Sequence, residues 1–119
     1  MNMSFKAVGA QGEVNVGRID ALPDGLIAVQ PENGFLIVGH SEKGHHHGFR
    51  DDGSVMVMER VRDVPSGMTI LYAIVENPTA LVQDSPSPHE RLLLDPGIYE
   101  IRISREYNPF LDEARRVKD

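Results

Sequence analysis

The chain has 119 residues, 40% of them apolar, no cysteine, and a net charge of −6 from twelve Lys and Arg against eighteen Asp and Glu. That length suits one hydrophobic core. The missing cysteine excludes a disulfide framework, a thiolate metal centre and a cysteine nucleophile, while the acidic balance opposes generic attraction to a phosphate backbone.

The start, Met1 to Val14, lacks the basic and apolar blocks of a signal peptide. No apolar run approaches the roughly 18 to 20 residues that cross a bilayer. A cytoplasmic location, or one inside a particle assembled there, is expected. From Glu13 to Ile19, Val14 and Val16 alternate with Asn15 and Gly17 as in a strand, which the turn residues Pro23, Asp24 and Gly25 end. Leu26 to Gln30 and Phe35 to Val38 are two short apolar runs. Asn33-Gly34 between them suits the positive φ angles of a tight hairpin turn, which predicts that the two runs pair.

Ser41 to Gly53 is polar and punctuated by glycine. Val55, Val57, Glu59 and Val61 then alternate with Met56, Met58 and Arg60. Met68 to Val75 is the longest apolar run, rich in β-branched and aromatic residues, and is expected to be a central strand. Gln83 to His89 carries Pro86 and Pro88 and cannot donate a full ladder of hydrogen bonds, so it reads as a loop or edge. Arg91 to Leu94 pairs briefly. After the Asp95-Pro96-Gly97 turn, Tyr99, Ile101 and Ile103 face one side and Glu100, Arg102 and Ser104 the other, as in a strand with one wet face.

The last twelve residues alone look helical: Asn108 caps, Pro109 has the φ of a first helical position, and acids precede Arg115, Arg116 and Lys118. The expectation is a single all-β domain over residues 1–119, a small β-barrel or β-sandwich of about seven short strands with one short C-terminal helix.

Four of the five histidines fall in the stretch GHSEKGHHHG, residues 39 to 48, and the fifth, His89, precedes Glu90. In an extended chain His45 and His47 project from one face two residues apart, a spacing that lets two imidazoles hold one ion. His40 and His89 are candidates to complete a metal site of His40, His45, His47 and His89, with Glu90 or Asp51 as a carboxylate partner. Such a nitrogen-rich set suits Zn²⁺ or Fe²⁺. An open position would make the site catalytic, and four protein ligands a structural clip. The plainer alternative is a set of polar loop histidines. No organic cofactor is indicated, and no catalytic residue is singled out.

Gly39, five residues, then His45-His46-His47 resembles the first cupin motif, with Asp51 where a glutamate is usual. The second cupin motif is not met, since no histidine follows Pro65-Ser66-Gly67 and His89 precedes Pro96-Gly97.

Over nearly the whole chain, the order of features resembles a family of small uncharacterised proteins found in bacterial and phage or prophage genomes. The matching residues are Gln11-Gly12-Glu13-Val14, Leu22-Pro23-Asp24-Gly25, GHSEKGHHH at 39 to 47, Pro88-His89-Glu90, Leu94 to Glu100, Arg105 to Pro109 and Arg115 to Asp119. The resemblance implies a shared fold and a shared histidine segment. Arg105, Glu106 and Tyr107 have a structural use as a strand end pinning the terminal helix.

Two functions compete. One is a phage- or prophage-related accessory or assembly protein that works through protein contacts as a homo-oligomer, with or without a histidine-bound divalent metal. The other is a cupin-like metal-dependent enzyme, a hydrolase or oxygenase.

Overall fold

The computed structural model describes residues 6–11, 13–39, 46–83 and 90–104. They form ten strands: β1 Lys6–Gln11, β2 Val14–Ile19, β3 Leu26–Ala28, β4 Phe35–Gly39, β5 His47–Arg50, β6 Val55–Arg60, β7 Met68–Val75, β8 Thr79–Gln83, β9 Leu92–Leu94 and β10 Gly97–Ser104. A six-stranded sheet has the order β1-β2-β10-β7-β6-β3, and a four-stranded sheet the order β4-β5-β8-β9. No helix among the described residues is long and apolar enough to cross a membrane. The expected terminal helix lies outside the described residues.

Alternation decides what each sheet buries. On the inner face of the larger sheet lie Val14, Val16, Val55, Val57, Leu71, Ala73, Val75, Tyr99 and Ile101. They share one core with Leu36, Val38, Phe49, Leu81 and Leu94 from the smaller sheet. Two sheets facing across a common apolar layer make a sandwich, which resolves the barrel-or-sandwich expectation. Along one side β1 approaches β9 so closely that a Cβ on Gly9 would stand 2.8 Å from Leu92 Cδ1. A side chain there would oblige the Leu92 side chain to shift.

Three strands exceed the expected seven. β1 is built of small residues with little apolar alternation. β5 is only four residues long and begins inside the histidine run, and β8 starts directly after Asn77-Pro78. Within the polar stretch 41–53, residues 47–50 are extended as the two-residue histidine spacing assumed, and Gly48 and Phe49 are buried strand residues.

The predicted hairpin is also corrected. Asn33 and Gly34 do take positive φ, 52° and 76°, between the reciprocal bonds of Glu32 and Phe35, so the tight turn exists. Its arms separate at once. β3 pairs with β6, held further by Val29 N–H to the Val57 carbonyl, whereas β4 pairs with β5, so the turn links the two sheets. Pro31 has no N–H with which to extend pairing between the arms. The central position of β7, between β10 and β6, is as expected.

The outer face of the large sheet is drier than an alternating strand implies. Ile19, Ile70 and Tyr72 form a second buried cluster there with Leu26, Val64, Met68 and Ile98. Glu100, on that face, is only 5% exposed and accepts from Arg102 Nε at 3.1 Å and Nη2 at 2.9 Å.

Tyr72 sits opposite Glu100 in register. Burial first, then the Glu100 carboxylate, pushes the Tyr72 phenol above its usual range, against a hydrogen bond with Arg60. The folded state thus holds a proton that the unfolded chain releases near pH 10, so this stability is complete below about pH 10 and is lost as pH rises through the raised value. Tyr72→Phe is expected to flatten the alkaline limb of a melting-temperature profile relative to the parent protein. Parallel profiles would show that Tyr72 does not titrate differently on folding.

Candidate functional site: a buried histidine–glutamine node

Gln11, the last residue of β1, is 1% exposed and reaches across the sandwich. Its Nε2 donates to the Leu81 carbonyl of β8 at 2.9 Å and to the Glu90 carbonyl before β9 at 3.0 Å. Its Oε1 lies 2.7 Å from His47 Nδ1. Because the amide nitrogen is committed to two carbonyls, its orientation is set and Oε1 must accept. The network therefore assigns the proton to His47 Nδ1, and in the neutral ring Nε2 carries the lone pair.

His47 is 4% exposed and opens β5, opposite Gly39 of β4 and Gln83 of β8. A Cβ at Gly39 would be in ordinary contact with the ring, 3.5 Å from His47 Cδ2, and tight only against Val14 Cγ2 at 3.3 Å. His46 is half-buried, and both it and His47 have further partners.

Of the four predicted metal ligands, the described residues include His47 alone; His40, His45 and His89 lie outside them, as do Lys43, Arg105, Glu106 and Tyr107. Their described chain neighbours meet at the node. Gly39, before His40, pairs with His47; His46 follows His45; Glu90, after His89, gives its carbonyl to the same glutamine that binds His47. Among the described residues, no group of three or more His, Asp or Glu is arranged to hold a metal ion.

Asp51 is not brought to the site. It is exposed past the opposite end of β5, with its N–H on the Gly34 carbonyl at 2.9 Å, and four extended residues separate it from His47 by about 13 Å. The acid of the cupin-like pattern is thus at the wrong end of the strand, and Glu90 is the carboxylate nearest the node in sequence. Gln11 is the site residue that spacing did not reveal. A lone glutamine ending a strand of small residues carries no signal until the fold closes β1 over β5 and β8.

A family model described as Domain of unknown function (DUF8820) matches residues 10–104, a span that includes Gln11, His47 and Glu90. No curated protein and no solved structure matches the chain.

Proposed function

We propose, for a chain that belongs to the DUF8820 family and therefore to a domain of unknown function, a non-catalytic accessory domain acting through protein contacts, in which His47 helps hold a divalent metal that clips β5 to neighbouring segments of the four-stranded sheet. The observation that carries this is the Gln11–His47 bond. An imidazole whose Nδ1 proton is held by a fixed acceptor presents Nε2 as a ligand, which is the outer-shell arrangement typical of metal-bound histidine. Candidate co-ligands are His40, His45 and His89, with Glu90 as a carboxylate, and the donor set suits Zn²⁺ or Fe²⁺.

Burial of His47 favours a structural clip over a cupin-like hydrolase or oxygenase, because a catalytic metal keeps a position open to substrate. The resemblance to proteins of phage and prophage genomes supplies the assembly setting.

Elemental analysis of untagged protein is expected to find one zinc or iron per chain, lost in His47→Asn and in His45→Ala/His89→Ala. The loop variants keep the test meaningful if the buried His47 variant fails to fold. Added Zn²⁺ is expected to raise the melting temperature of stripped protein, because a ligand of the native state at about a hundred times its Kd stabilises by about 2.7 kcal/mol. Metal-free protein whose melting is indifferent to zinc would overturn the reading.

A further inference from the structure

The outer face of the four-stranded sheet carries a groove of about 460 Å³ whose lining includes Arg50, Ala80, Val82, Arg91, Leu93 and Asp95. Leu93 is 68% exposed, more than any other large apolar residue described. Its neighbours Leu92 and Leu94 turn inward to the core. Arg91, Leu93 and Asp95 are spaced two residues apart, so they share the outward face of β9 and its two flanking positions. Asp95 is anchored, since its carbonyl accepts the Tyr99 hydroxyl at 2.6 Å. Neither the Arg91 guanidinium nor the Asp95 carboxylate has an ion-pair partner among the described residues.

We infer that this face docks against the same face of a second copy of the chain, on a two-fold axis through Leu93. The order cation, apolar residue, anion is self-complementary. A two-fold axis lying across the strands sets Arg91 over the second copy's Asp95, Asp95 over its Arg91, and the two Leu93 side chains against each other, as an isologous interface requires. Arg50, level with Ala80 and so near the axis, has Asp52 beside it, whose carboxyl the Ser54 hydrogen bonds and then Arg50 hold below the usual range. A wholly acidic or wholly basic partner would leave half of these charges unmatched.

A small residue at the centre, Ala80 opposite Leu93, lets the facing sheets approach. Four strands give a face of roughly 300 Å² in projection, below the ~800 Å² per partner of standard stable interfaces, so the dimer is reversible and concentration-dependent. This inference rests on the protein-contact half of the proposed function and is independent of the metal.

Sedimentation velocity of the untagged full chain across a wide concentration range is expected to show a monomer–dimer equilibrium. Leu93→Asp should raise the dissociation constant at least about tenfold, since it removes the central apolar contact from both copies and places two carboxylates together. Because Leu93 is exposed, an unchanged melting temperature will confirm that the fold survives. Arg91→Asp and Asp95→Arg should each weaken association, and the double exchange should restore it by re-forming both reciprocal pairs. A parent protein that stays monomeric at the highest concentration reached, or a dimer indifferent to Leu93→Asp, overturns the inference. A double exchange no better than the single variants overturns the two-fold register. None of these outcomes alters the metal content, which tests the clip separately.

Discussion

Replacing Gln11 by leucine, which keeps the volume and removes the amide, is expected to lower the unfolding free energy by about 2–5 kcal/mol. The side chain makes three hydrogen bonds, to the Leu81 carbonyl, the Glu90 carbonyl and His47 Nδ1. Each buried polar group stripped of its partner costs about 1–3 kcal/mol. Glu90 is exposed and its carbonyl recovers a bond to water, so the penalty falls on the Leu81 carbonyl and the His47 ring. The loss is a large share of the roughly 5–15 kcal/mol that holds a domain of this kind together.

Urea unfolding checks the expectation through a lower midpoint at unchanged slope. A double-mutant cycle with His47→Asn should give a coupling energy of about 1 kcal/mol or more, because the two side chains share one bond. In metal-loaded protein the same variant should weaken metal affinity about ten- to a hundredfold, the usual consequence of removing an outer-shell partner. A change below about 1 kcal/mol would mean that the Leu81 carbonyl and the His47 ring do not depend on Gln11.

The contrast between Gln11 and the histidines shows what local pattern can carry. Period-two alternation identified β2, β6 and β10, and the β-branched run identified β7, because those strands bury one face or both and their composition follows. The Asn33-Gly34 turn was legible for a similar reason, since only a few residue types accept positive φ there. What those residues do not encode is which strand lies beside which. β3 and β4 leave the same turn for different sheets because distant partners, β6 and β5, offer each of them longer pairing than they offer each other.

The wet face expected of β10 holds at the exposed Arg102 and fails at Glu100, for a related reason. Glu100 and Arg102 bond to each other, so charged residues at alternate positions do not imply solvent. At the node, spacing singled out His47, which lies buried against Gln11. It could not identify the glutamine that sets the tautomer, because Gln11 and His47 are brought together only by the stacking of the two sheets.

Gly48→Ala is the companion test, aimed at the strand that carries His47. Gly48 is buried in β5, and a Cβ there would overlap the Leu36 carbonyl oxygen and stand 2.7 Å from Phe35 Cε2. The aromatic ring can rotate away. The carbonyl belongs to the backbone of β4, the strand paired with β5, and moves only if the two strands separate. Overpacking that displaces backbone costs typically about 1–3 kcal/mol and at times more, and a collision with backbone lies at the upper end.

Gly53→Ala is the control that separates collision from backbone strain. Gly53 has φ +88° with nothing within 4 Å of its added Cβ, so alanine there pays only the left-handed penalty of about 1–2 kcal/mol. Gly48→Ala should therefore be the more damaging of the two, and because His47 is the adjacent residue, it should also reduce metal retention while Gly53→Ala leaves it intact. Equal unfolding midpoints for the two variants would show that β4 and β5 do not approach as closely as the glycine requires, and with them the placement of His47 beside Gly39 would fall.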